Sequence, residues 1–381
     1  MGLPRCSPVH TRNSLPLSSS PAAPTGAQLL IAQPDYAKQL RPLLPADAFT
    51  PVRGTLTILS LNGAILVLGW AMARQLQASH WQGLLLFLPF ALVMGNAVVV
   101  MLFGTHDMMH SKAIRQPQLR WLVQLLGLAL LWMPPTLWKA VHNREHHGKT
   151  NSEQDPDRNY NANQPASWGK WIQNLFVPSV EVHPFWLTVG MTSAWGVHAF
   201  RNLTSVLLFN NGSTRYPVFS FQVSSRERRQ IAIELAVIVL IHASIIGFIG
   251  LRPVPLLLGY FLPIWIGYSV VMAYIYTNHM ACQATDTNDP LINSISLKMP
   301  VIFDALHFNF SYHTEHHIFP GMNPDYYPQV RALLQEHYPD RFNLLSAPHA
   351  WQLLRQTPRH YLDATTFASS CGTIVQSCPL S

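Results

Sequence analysis

The chain has 381 residues, of which 49% are hydrophobic and only 11% charged, with a formal net charge of +7 at pH 7. So little charge cannot cover a water-facing surface of this size, whereas a lipid-facing surface requires its scarcity. Lys and Arg are scattered through loops rather than gathered into a stripe with stacking aromatics, which argues against nucleic acid as a partner. The cysteines, Cys6, Cys282, Cys371 and Cys378, include no CxxC pair and support neither a zinc ribbon nor a disulfide framework.

Residues 1–34 contain no acid, several Ser and Pro, and no apolar run like that of a signal peptide, so they are expected to be a disordered tail. Four later segments, about 55–74, 83–105, 231–250 and 254–277, are long and apolar enough to span about 30 Å of hydrocarbon at 1.5 Å per residue. Short links join the first to the second and the third to the fourth. Two helical hairpins result, each starting and ending on one face of the bilayer. The apolar stretch Leu119 to Leu137 is expected to be re-entrant or interfacial, because a single crossing there would put HNREHH on the far side from HDMMH and because Pro134 and Pro135 stop it. Trp168 to Leu208, broken by Pro178 and Pro184, is read as interfacial helices. Residues 346–381 turn polar and are expected to be a cytoplasmic tail, frayed from about Thr365.

The links carry only Arg74 and Arg252, whereas the opposite side holds Arg53, Lys112, Arg115, Arg120, Lys139, Arg144, Arg226, Arg228 and Arg229. The positive-inside rule makes that crowded side cytoplasmic. On the same side fall three histidine clusters: HDMMH at 106–110, HNREHH at 142–147 and HTEHH at 313–317. Lys and Arg alone choose the cytoplasmic face, and the histidines fall on it once Leu119 to Leu137 does not cross.

On an α-helix residues four apart share a face, so His106 and His110 can bind one ion. His313, His316 and His317 fall within an arc of about 100° and are expected to converge on one cavity. In the middle cluster the arc is about 140°, so His142 and His146 stack while His147 reaches toward a second ion. His279, just past the fourth span, lies at the same depth and joins as a ninth candidate. Eight or nine imidazoles exceed what one ion takes and imply two. Neutral imidazole suits iron, zinc, copper or nickel, with redox chemistry favouring iron. Asp107, Glu145, Asn278 and Glu315, with Asp155 and Asp157, are candidates for orienting ring N–H groups. Trp132, Trp138, Phe308 and Phe310 are expected to line or support an apolar tunnel.

The motifs HxxxH, HxxxHH and HxxHH between paired spans resemble the membrane fatty acid desaturase superfamily over about residues 50–345. WKAVHNREHHGKTNSEQDPD and FNFSYHTEHHIFPGMNPDYYP carry most of the likeness. The resemblance implies an all-α integral membrane fold of four transmembrane helices with a cytoplasmic helical cap. It implies that His106, His110, His142, His146, His147, His279, His313, His316 and His317 hold a non-haem di-iron centre using O₂. The implied reaction places a double bond in a fatty acyl lipid or acyl-CoA. The three-residue spacing in the middle box is also found in related alkane hydroxylases and carotenoid-modifying enzymes, so hydroxylation or ketolation of an alkyl or carotenoid-like lipid is the alternative. The chain lacks an HPGG haem motif and has His313 rather than Gln at the start of the third box, which implies a separate electron donor of ferredoxin or cytochrome b5 type. The membrane would be a bacterial inner membrane or, in a eukaryote, the endoplasmic reticulum.

Overall fold

A computed structural model describes residues 35–51, 54–77, 81–111, 113–152, 154–157, 175–208 and 221–380. The expectation for residues 1–34 therefore lies outside the described residues. The chain is mostly helical, and four helices are long and apolar enough to cross a membrane: α1 (Thr55–Gln75), α2 (Trp81–His110), the helix α5 (Ser225–Ile249), and the stretch Pro253–His279 that ends in α6 (Leu262–His279). Leu61, Leu86, Leu92 and Leu240 point outward from these helices and are exposed. Only lipid makes that arrangement inexpensive, and it is the exterior of a membrane protein.

Local signals set the helix ends. At the start of α5 the Ser224 hydroxyl accepts from the Glu227 N–H while the Glu227 carboxylate accepts from the Ser224 N–H at 2.7 Å, a reciprocal cap. Gly250 ends the helix at φ 88°, a conformation that disfavours side-chain-bearing residues. The helix α3 (Pro117–Ala129) has 13 residues and reaches about 20 Å, short of the hydrocarbon thickness. It exposes Leu119, Leu122 and Leu126, buries Leu125 and Leu128, and stops before Trp132, which takes φ 53° ahead of Pro134. That agrees with a segment that does not cross.

Within the stretch expected as broken interfacial helices the chain is indeed non-helical from 177 to 183, around Pro178, but residues 184–207 form one continuous helix, α4 (Pro184–Leu207), packed along α6. Pro184 starts this helix rather than breaking it. At the first helical position the missing N–H costs nothing, and His183 Nδ1 caps Phe185 N–H.

The close pairing of α2 with α6 bears on function. A Cβ on Gly95 would lie 2.5 Å from Ile266, and one on Gly267 would lie 2.5 Å from Val98, so glycine lets the backbones approach. Helix α2 ends in His106 and His110, and α6 ends in His279.

Beyond the spans come the short helices α7 (Val301–Leu306) and α8 (His313–Ile318), then α9 (Tyr327–His337) and α10 (Ala347–Gln356). The all-α expectation needs an addition: strand β1 (Ser296–Lys298) pairs in parallel with β2 (Leu344–Ser346). Nor is the C-terminus frayed from Thr365. Strands β3 (His360–Tyr361), β4 (Thr366–Ala368) and β5 (Val375–Ser377) form an antiparallel sheet. Buried Arg359 ties the approach to that sheet to the rest of the fold by donating to the carbonyls of Pro178 (2.7 Å), Met280 (3.1 Å) and Leu354 (2.6 Å). Tyr361 donates to the Cys282 carbonyl at 2.5 Å. A polar segment without an apolar run gave no sign of this in sequence, because its order comes from contacts with distant carbonyls.

Gly267→Leu should force α6 from α2, at a cost of about 1–3 kcal/mol or more for overpacking. A lower thermal midpoint in detergent is the expected result, and an unchanged midpoint would contradict the close packing.

Candidate metal centre

Four chain segments converge at one end of the α2 and α6 pair. The end of α2 presents His106 and His110, and the end of α6 presents His279. Helix α8 presents His313, His316 and His317, all buried. The middle cluster lies on a π-helical turn, Lys139–His146, in which the His147 N–H bonds to the His142 carbonyl five residues back. Such turns are rare and concentrate at functional sites.

Ligand-capable nitrogens gather into two groups, each within 4.8 Å: His106, His110, His142, His147 and His316 in one, and His146, His279, His313 and His317 in the other. The partition differs from the one expected from helical arcs. The wider winding of the π turn brings His142 and His147 together, with Nε2 atoms 3.3 Å apart, and sends the His146 nitrogen to the other group even though the His142 and His146 rings stack. Likewise HTEHH does not converge on one point. His313 and His317, four apart, share one group, with Nε2 atoms 3.2 Å apart, while His316 turns to His147 at 3.2 Å. The two groups adjoin, since the rings of His147 and His317 lie 4.5 Å apart.

The outward faces of the rings decide what the inward faces can do. His279 Nδ1 lies 3.0 Å from the Asn293 carbonyl, which only accepts, so the proton is on Nδ1 and the lone pair on Nε2. That Nε2 faces the Nε2 of His313 at 2.6 Å. His316 Nδ1 lies 3.1 Å from the Tyr327 hydroxyl, which itself donates to the Phe319 carbonyl, and this fixes the same tautomer. His146 Nδ1 bonds to Asp155 at 3.0 Å, and His142 Nδ1 approaches Asp157 at 3.5 Å. Opposed lone pairs at hydrogen-bond distance repel unless a cation sits among them, so the residues fit a pair of metal ions with nitrogen donors.

Burial pushes the pKa of His142, His147, His313, His316 and His317 well below the ordinary histidine value, with mutual repulsion adding to it. These rings are therefore neutral at pH 7, the state a metal needs. His146 differs: burial favours its neutral form, but the carboxylates of Asp155 and Asp157 overcome that and raise its pKa to about 9. Burial also lifts Asp157 to about 6, against the opposing pull of His146.

The other candidates divide. Asn278 is fully buried beside His279, and neither its amide nitrogen nor its oxygen finds a hydrogen-bond partner among the described residues. Asp107 shares a small cavity wall with His106, Phe308 and Tyr327. Glu145 pairs with Arg144 and Lys149, and Glu315 with Ser296 and Arg331, so neither orients a ring. Orienting partners that sequence reasoning missed are the Asn293 carbonyl and Tyr327. His198, outside the three histidine motifs, lies 3.4 Å from Asp157. Spacing gives no signal for these; for Tyr327, only its place in PDYYP hinted at a role. Cys282 is buried and lies outside both groups.

A mostly apolar cavity reaches His142, His146, His279 and His313, walled by Leu102, Trp138, Trp195, Ile275 and Phe310. Of the four expected tunnel residues, Trp138 and Phe310 line it. Trp132 instead stacks on His242, with ring centroids 4.0 Å apart, and Phe308 faces Gly104 and the wall near His106.

Comparison with known families gives a match to the fatty acid desaturase family over residues 79–346, and no curated protein matches the chain. The match covers more than half the chain and spans all three histidine motifs. With four apolar helices and two adjoining histidine groups, this membrane protein belongs to the fatty acid desaturase family and is of the desaturase or hydroxylase type.

Proposed function

We propose that the chain is an O₂-dependent desaturase that introduces a double bond into a fatty acyl chain carried as acyl-lipid or acyl-CoA. The observation that carries this reading is the apolar cavity ending on two adjoining groups of buried imidazoles. All nine histidines serve as ligands to two irons, five on one ion and four on the other. The chemistry iron supplies when bound is activation of O₂ for removing hydrogen from an unactivated methylene pair.

The chain's own residues do the rest. Leu102, Trp138, Ile275 and Phe310 hold an alkyl chain beside the imidazoles and keep water from the reacting carbons. Asp155, Tyr327 and the Asn293 carbonyl lock ring tautomers so that each Nε2 lone pair points inward. The domain runs over residues 50–345 as two helical hairpins with a cap. Arg252 donates to the carbonyls of Leu76 and Arg74, which supports the links of both hairpins sharing one face. The metal centre then faces the cytoplasm, where a ferredoxin or cytochrome b5 type donor supplies electrons. The three-residue spacing of the middle box favours a second reading, oxygen insertion into an alkyl or carotenoid-like lipid.

Expression in a desaturase-deficient host should yield a new unsaturated acid when fatty acid methyl esters are separated by gas chromatography. A hydroxylated or ketolated lipid with no new double bond would replace the first reading by the second. His316→Ala removes one of five donors from its group; activity should vanish and bound iron fall from two to about one per chain. Asp155→Asn should leave the protein folded but weaken metal binding by about 10–100-fold in chelator competition. Unchanged affinity would mean that Asp155 does not orient His146.

A further inference from the structure

Helix α7 presents four adjacent apolar side chains to the outside: Val301 (82% exposed), Ile302 (61%), Phe303 (43%) and Leu306 (41%). Its depth is set by the histidine that follows it. His307 bonds to Asn96 Oδ1 of α2 and to the Tyr274 hydroxyl of α6, each at 3.0 Å. Asn96 lies ten residues before His106 and Tyr274 five before His279, so they sit about 15 Å and about 7 Å along their helices from the metal centre. Both positions fall inside the stretches apolar enough to cross a membrane.

The polar groups of this segment are turned inward, as lipid demands. Asp304 carries the only full charge between Met299 and Tyr312 and is buried, accepting from the Ser311 hydroxyl at 2.5 Å. Pro300 offers no N–H at the helix start, and the Asn309 N–H bonds back to the Asp304 carbonyl at 2.8 Å. Phe308 and Asn309, both at φ 54°, make a left-handed turn that sends Phe310 back against Phe103, ring centroids 3.9 Å apart, and toward His106. One face of the segment thus meets the outside while its continuation walls the cavity.

We infer that α7 is a re-entrant element whose outer face is immersed in the acyl region of the bilayer, so that only the segment from 299 to 311 separates lipid from the cavity at this point. The partner is the hydrocarbon of membrane lipid; a protein covering this face is the competing outcome. Full-length protein in phospholipid nanodiscs, carrying p-benzoylphenylalanine at 301, 302 or 306, tests this by photo-cross-linking. Position 240, exposed on α5, serves as the lipid-facing control and position 336, exposed on α9, as the water-facing one. Mass spectrometry should find phospholipid adducts at 301, 302 and 306 at a yield near that of 240, roughly tenfold above 336. Yields closer to that of 336, or cross-links to protein in place of lipid, would overturn the inference. The measurement reads no activity, so it stands whether the reaction is desaturation or hydroxylation.

Discussion

Nitrogen lone pairs that face one another away from water impose the main constraint on this molecule. A buried polar atom without a partner costs about 1–3 kcal/mol, and here several such atoms are also aimed at each other. Burial keeps most of the rings neutral, which removes like-charge repulsion but leaves the lone pairs opposed. A cation offsets both costs at once, so metal binding and the stability of this end of the fold are the same free energy seen from two sides.

The scaffold exists to hold that geometry. His279 and the pair His106 and His110 keep their relative heights because α2 and α6 pack closely where Gly95 meets Ile266 and Gly267 meets Val98. The π turn sends His142 and His147 to one group and His146 to the other, where α-helical winding would pair His142 with His146. Farther out, Arg359 fixes the Met280 carbonyl one residue past His279, linking the C-terminal sheet to the last turn of α6. A guanidinium in so dry a place is held by carbonyl acceptors rather than by a carboxylate, so it adds rigidity without bringing a competing anion near the imidazoles.

Electrostatics around the site are asymmetric. Carboxylates stand close to His146 and His142 through Asp155 and Asp157, whereas His279 and His316 are oriented by a neutral carbonyl and a phenol. Glu315, though one residue from His316, turns away to Ser296 and Arg331, because neighbours on so short a helix point in different directions. Adjacency in sequence was therefore a poor guide to which acids orient rings. Proximity after folding was the better one, as His198 beside Asp157 shows.

The four spans and the three histidine motifs were legible in the amino-acid sequence, because hydropathy over some twenty residues and i, i+4 spacing are local properties of the chain. Even the helix that stops short of crossing could be read from its prolines and from the need to keep the histidine motifs on one face. Which nitrogen joins which group was not legible, since it depends on a π turn whose extra residue is stabilised by packing rather than by composition. The same holds for the C-terminal sheet and for α7, whose apolar face gains its meaning only from the depth at which His307 anchors it to Asn96 and Tyr274. Local chemistry determined what the chain carries into the membrane; contacts made only on folding, from Asp155 on His146 to Asn96 on His307, decided how it is aimed.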